Sequence, residues 1–224
     1  AAYRLQLAEL LRGEDRLDEA ADAYLAVLAA LPNHAAAQGG LARVREAQGN
    51  RSEAIELLER ATEAYPTPQL VAALGDLYAL DGDDDRASTS YALVERIAEV
   101  AQATGGVYDR QLVMFLADHN LRIDDAVALA ADELAVRKDV YGHDVYAWAL
   151  YKAGRFEEAD AEAKEAMRLG TQDGLILYHA GMIAAALGRD VEARTLLEAA
   201  EMRAAAVPAL QVPILRETLD GLGG

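Results

Sequence analysis

The sequence predicts an all-α protein built from about six consecutive helix pairs. Three observations carry that expectation: a pattern that recurs about every 34 residues, a composition of strong helix formers, and the lack of any apolar/polar alternation at strand spacing. Hydrophobic residues make up 53% of the 224-residue chain but aromatics only 6%, so the apolar surface comes mostly as alanine and leucine. Small apolar side chains suit closely packed helices, and Ala, Leu, Glu and Arg all favour the helical state.

The pattern is clearest at an alanine preceded by acidic residues or arginine at a helix start: Ala20, Ala54, Ala87, Ala126, Ala159 and Ala193. Successive anchors lie 34, 33, 39, 33 and 34 residues apart. Twelve residues before each anchor stand Ala8, Ala42, Gly75, Met114, Ala147 and Gly181, and four after it Tyr24, Leu58, Tyr91, Ala130, Ala163 and Leu197. Five before it come Gly49, Gly82, Gly154 and Gly188, where a helix must stop and the chain must turn. Two helices cross closely only where the contact point has no bulky side chain. Ala8 against Ala20 and Ala42 against Ala54 meet that need, with Leu7, Leu41, Tyr24 and Leu58 filling the flanks.

These in-phase columns resemble the tetratricopeptide repeat family over residues 1–206. The resemblance implies a right-handed superhelical solenoid with repeats at about 1–34, 35–67, 68–106, 107–139, 140–173 and 174–206. Residues 207–224 are then a capping helix and a frayed tail, with Ile214, Leu215 and Leu219 shielding the last apolar face. Repeat four departs from the pattern: Met114 occupies the small column, and its turn reads His119-Asn120-Leu121-Arg122. Extra residues around Gly105-Gly106 predict a lengthened second helix in repeat three, then a break, making the stretch from Gln102 to Val107 the least protected in the array.

Charge narrows the function. A net charge of −17 repels a phosphate backbone and an anionic membrane surface, which argues against nucleic acid. No apolar stretch reaches the length needed to cross a bilayer, which argues against membrane insertion by this segment. A soluble protein is expected, in the cytoplasm or exported after removal of an N-terminal leader, since the first residue is Ala1 and not methionine. Cysteine is absent, so disulfides and thiolate chemistry are excluded. Alanine richness and a predominance of arginine over lysine point to a GC-rich bacterial genome.

The chemical constellations are weak. The run from Asp81 to Asp85 resembles a calcium loop, but the sixth and twelfth places hold Arg86 and Ala92 instead of glycine and glutamate, so it reads as a capping turn. His34, His119, His143 and His179 form no paired metal motif, although His143, Asp144 and His179 lie on neighbouring first helices. No cofactor and no catalytic residue is expected.

The family resemblance implies a concave groove lined by one face of each first helix. In the first half this face holds Leu5, Glu9, Arg12, Gly39, Arg43, Glu46, Ala72, Asp76 and Ala79, and lacks the lysine and asparagine clamp of the family's chaperone-tail binders. In the second half it holds Tyr108, Gln111, Phe115, Asp118, Tyr141, Asp144, Trp148, Tyr151, Tyr178 and Met182, where the scarce aromatics concentrate. Aromatics beside polar groups have the composition of binding hot spots, and the same bulk also serves to fill space between repeats. The implied function is a scaffold holding a protein or peptide, for which the acidic surface favours a basic one, with Arg43, Asp76, Asp118 and Asp144 orienting it. The competing readings are a peptide-sensing module for an effector domain elsewhere, and an enzyme or metal-binding protein.

Overall fold

The computed structural model describes residues 2–103 and 110–223, and these form α-helices joined by turns, with no strand among them. The chain divides into two compact units. The first comprises Ala1–Ala101 and Arg203–Leu210, and the second Gln102–Met202 and Gln211–Gly224.

The first unit holds α1 (Ala2–Gly13), α2 (Leu17–Ala30), α3 (Ala35–Ala47), α4 (Arg51–Ala64), α5 (Pro68–Leu80) and nearly all of α6 (Asp84–Ala103). In the second are α7 (Arg110–Asp118), α8 (Ile123–Val136), α9 (Val140–Lys152), α10 (Phe156–Met167), α11 (Gly174–Ala186), α12 (Asp190–Glu201) and α13 (Gln211–Gly221). The extra residues of repeat three do lengthen its second helix, since α6 runs for 20 residues against 14 in α2 and α4. The expected break at Gly105-Gly106, and with it the expected soft stretch, lies outside the described residues.

All six anchor alanines are buried, as are Ala8, Ala42, Gly75, Ala147 and Gly181 of the small column. Met114 is half-buried. How closely the helices pass is set by the glycines. A Cβ on Gly75 would stand 2.6 Å from Cε1 of Tyr91, and one on Gly181 would stand 2.7 Å from Cγ and Cδ2 of Leu197. Tyr91 and Leu197 are the residues four after their anchors, so α6 and α12 each drive a large side chain into the gap that the preceding first helix leaves bare.

The two kinds of helix start differently. Four first helices, α3, α5, α9 and α11, are capped by side chains: His34 Nδ1 accepts from the Ala37 amide, Thr67 Oγ1 from Leu70, Asp139 from Gly142 and Asp173 from Leu175. Each such bond satisfies one of the free amides at the helix start. Second helices follow the left-handed turn, with Gly49, Gly82, Gly154 and Gly188 all at positive φ. Asp15 takes that conformation in repeat one, and repeat four uses Asn120 and Arg122 in place of a glycine. Beyond the turn, an arginine at the helix start pairs with a carboxylate three residues on, as in Arg16–Glu19, Arg122–Asp125, Arg155–Glu158 and Arg189–Glu192. In the acidic loop, Asp83 caps α6 by accepting from the Arg86 amide and pairs with its guanidinium. No cluster of three metal-ligating side chains occurs among the described residues.

The last helix, α13, packs on α11 and α12 through buried Leu215 and Leu219, while Ile214, expected to join them, faces outward. No described helix is long and apolar enough to cross a membrane.

Alanine at position 75 gains about 0.5–1 kcal/mol of helix propensity, against about 1–3 kcal/mol of overpacking beneath the Tyr91 ring. Gly75→Ala is therefore expected to lower Tm by about 2–4 °C in a thermal melt. An unchanged or raised Tm contradicts the close approach.

Candidate partner-binding face

In the second unit, α7, α9 and α11 are the first helices of their pairs and lie side by side. Residues spaced by three and four along each come to one face, because those intervals return a helix to the same side. The face centres on Trp148. Its Nε1 donates to Asp118 Oδ1 on α7 at 2.8 Å, and its ring lies nearly parallel to Tyr151 at 4.9 Å and to His179 of α11 at 4.2 Å. Tyr178 is tilted against it at 5.5 Å, and the Lys152 ammonium sits 5.1 Å from the ring centroid.

Two buried polar links tie this cluster together. His179 is 1% exposed, and its Nδ1 hydrogen-bonds Asp144 Oδ1 at 2.9 Å, the ring N–H donating and the carboxyl oxygen accepting. That leaves His179 Nε2 buried with no partner among the described residues. The Tyr178 hydroxyl donates to Gln211 Oε1 at 2.9 Å, so the start of α13 closes over α11. Burial, helped by the negative charge of Asp118, raises the Tyr178 pKa and keeps the phenol protonated. Lys152 moves the other way: burial of its ammonium lowers its pKa, and Asp118 opposes the shift.

The residues singled out in sequence therefore separate by exposure. Phe115, Asp144, Trp148, Tyr178 and Met182 are buried, Trp148 at 1% and Tyr178 at 0%. Gln111, Asp118 and Tyr151 are half-buried, and Tyr141 is 55% exposed. Tyr108 lies outside the described residues. Of the three side chains considered for a metal, Asp144 and His179 meet, whereas His143 turns to Glu162 of α10 at 2.6 Å. Sequence reasoning passed over Lys152 and Gln211. Lys152 lies one residue beyond Tyr151 on the same helix, and the contact of Gln211 with Tyr178 spans 33 residues and has no local signature.

The corresponding face of the first unit is polar. Arg12 donates to Glu9 through Nε and Nη2, at 3.3 and 3.0 Å. Burial pushes the Glu9 carboxyl up, but Arg12, the Tyr24 hydroxyl and Arg43 outweigh it and bring the pKa down. Half-buried Arg43 has its pKa lowered by burial and by the Arg12 charge. Tyr91 donates to Asp76 at 3.1 Å, and Gly39 lies where a Cβ would meet Leu70.

Residues 11–77 match one family model described as tetratricopeptide repeat, and residues 147–208 match a second. The chain belongs to the tetratricopeptide repeat family. Over 63 residues it is 46% identical to cellulose synthase 1 operon protein C of Komagataeibacter xylinus, a match covering 28% of this chain and 5% of that protein. Among solved structures, a tetratricopeptide repeat protein from Parabacteroides merdae aligns with TM-score 0.55 at 15% identity, covering 100% of this chain and 84% of that one. The hetero-tetramer Cut9-Hcn1 of APC/C gives TM-score 0.53 at 14% identity over 98% of this chain and 42% of that one. PilW, a type IV pilus biogenesis factor, gives TM-score 0.50 at 18% identity, over 95% and 97%. At these identities the likeness is one of fold.

Because the Trp148 ring fills the space between α7, α9 and α11, Trp148→Ala is expected to destabilise the protein by about 3–5 kcal/mol in urea unfolding. In the unsubstituted protein its fluorescence should resist acrylamide quenching. A loss below about 1 kcal/mol, with ready quenching, contradicts this packing.

Proposed function

We propose that this tetratricopeptide repeat protein is a non-catalytic scaffold that holds a segment of a partner protein against the face of α7, α9 and α11. The observation that carries the reading is the locked aromatic floor around Trp148, with Tyr141, Tyr151, Gln111 and Lys152 left at its accessible edge. A rigid aromatic surface binds at low cost, since few rotamers remain to be ordered. Tyr141 and Tyr151 are the anchors of this reading, and the buried residues hold them in place. The Cut9-Hcn1 structure, which shares the fold, is a hetero-tetramer, in keeping with a role in holding proteins together.

The net charge of −17 favours a basic partner, mainly by speeding encounter. Association should then slow as salt rises, because the Debye length shortens from about 10 Å at 0.1 M to about 3 Å at 1 M.

The test is quantitative affinity capture from lysate of the source cells, with Tyr141→Ala/Tyr151→Ala as the comparison. The unsubstituted chain should recover a folded protein. The double variant should lose about 2 kcal/mol of affinity for it while its circular dichroism shows that it remains folded at the temperature of capture. Equal recovery by both chains contradicts the site. A short co-purifying peptide in place of a folded protein would favour the peptide-sensing reading.

A further inference from the structure

Residues Arg203–Leu210 belong to the first unit and pack there against α1 and α3, the first helices of its first two pairs. The segment is a single 3₁₀ turn at Ala204–Ala206, closed by the Val207 amide donating to the Ala204 carbonyl at 3.0 Å, and it then becomes extended at Val207 before Pro208. Ala205 and Val207 are each 6% exposed, and Ala209 packs on the core formed by Ala8, Leu11 and their neighbours. From Ala204 to Ala209 every side chain is alanine, valine or proline. Between 204 and 209, therefore, no large side chain is there to hold the segment in place.

Its main chain holds it. The Ala205 carbonyl accepts from Arg12 Nη1 at 2.5 Å. The Ala205 amide faces the Asp15 carboxylate, whose pKa is raised by burial and drawn back by that amide. Ala205 thus meets a partner at both its main-chain amide and its carbonyl, on two successive peptide groups, and Arg12 is itself fixed by Glu9. Asp15 reaches its place because it occupies the left-handed turn position that glycine fills in other repeats. Beside Arg12, the half-buried Arg43 has neither a hydrogen bond nor an ion pair among the described residues. The face offers one more donor group than its resident uses.

We propose that the face formed by α1 and α3 is a docking site for a short peptide segment with small side chains, held through its main chain by Arg12 and Asp15. Residues 203–210 are its internal occupant, which a partner segment displaces. The inference rests on reading the chain as a scaffold, but it concerns different helices and residues from the face around Trp148. The apparent affinity of a partner falls in proportion to the fraction of time the resident leaves the face open. A tethered resident competes at an effective concentration in the millimolar range. A partner that also engages Arg43 gains a contact that the resident lacks.

The test uses the full chain and a fluorescein-labelled peptide with the sequence of residues 203–210, read by fluorescence anisotropy. Ala205→Phe puts a ring where there is no room and should vacate the face, so the labelled peptide should bind about tenfold tighter than to the unsubstituted chain. Adding Arg12→Ala should remove that gain. Equal binding by Ala205→Phe and the unsubstituted chain, no binding by Ala205→Phe, or a gain that survives Arg12→Ala would each overturn the proposal. If circular dichroism shows that Ala205→Phe fails to fold, hydrogen exchange on the unsubstituted chain decides. Millimolar peptide should speed exchange of the 205–207 amides about threefold or more, and an unchanged rate overturns the proposal. Partner capture that depends on Tyr141 and Tyr151 would survive failure here.

Discussion

Five of the six helix pairs in this protein depend on one constraint, from which only the pair carrying Met114 departs: at the point where two helices cross, the first must carry almost no side chain. Ala8, Ala42, Gly75, Ala147 and Gly181 meet that constraint, and the anchor alanines meet it from the other helix. Dispersion falls off steeply with distance, so a few tenths of an ångström at the crossing decide how well Tyr24, Leu58, Tyr91 and Leu197 fill the space beside it. A helix pair alone cannot bury its apolar face, and stacking on the next pair completes the core. The spacing set at each crossing also fixes where the next first helix lies, and hence the faces proposed here for binding.

The turns show how much freedom remains once the crossing is set. Four repeats place glycine at positive φ, repeat one places Asp15 there, and repeat four spreads the reversal over Asn120 and Arg122. Asparagine and aspartate tolerate this region better than most residues, because their short polar side chains bond locally. Repeat one turns that substitution into the carboxylate facing Ala205. A departure from the repeat that would otherwise be a mild strain thus supplies part of a proposed binding site.

The fold was legible in the sequence because its determinants are local. The 34-residue period, the small columns, the turn glycines and the lengthened α6 all follow from spacing along the chain. The faces were legible only in part. Helical register put Asp118, Trp148, Tyr151 and Tyr178 on neighbouring faces, but exposure depends on which way each ring turns and on what the next helix brings. Trp148 is buried because Asp118 on α7 and His179 on α11 hold it inward, and those contacts span 30 and 31 residues. The repeated bracket of arginine and carboxylate at second-helix starts was present at constant spacing and would have emerged from a search for charged columns as well as small ones. Nothing local marks residues 203–210 as bound to α1 and α3, since an alanine-rich stretch before a proline reads as a simple linker.

The most direct test of the crossing constraint is a double-mutant cycle on Gly181 and Leu197, measured by urea unfolding. Gly181→Ala alone should cost about 1–3 kcal/mol through the clash with Leu197, and Leu197→Ala alone about 2–5 kcal/mol through the cavity it leaves. In the double variant the new methyl enters space that the leucine has vacated, so its cost should fall short of the sum by about 1 kcal/mol or more. Costs that add to within about 0.5 kcal/mol would show that the bare position on α11 and the large residue on α12 are not coupled, contradicting the constraint on which this account depends.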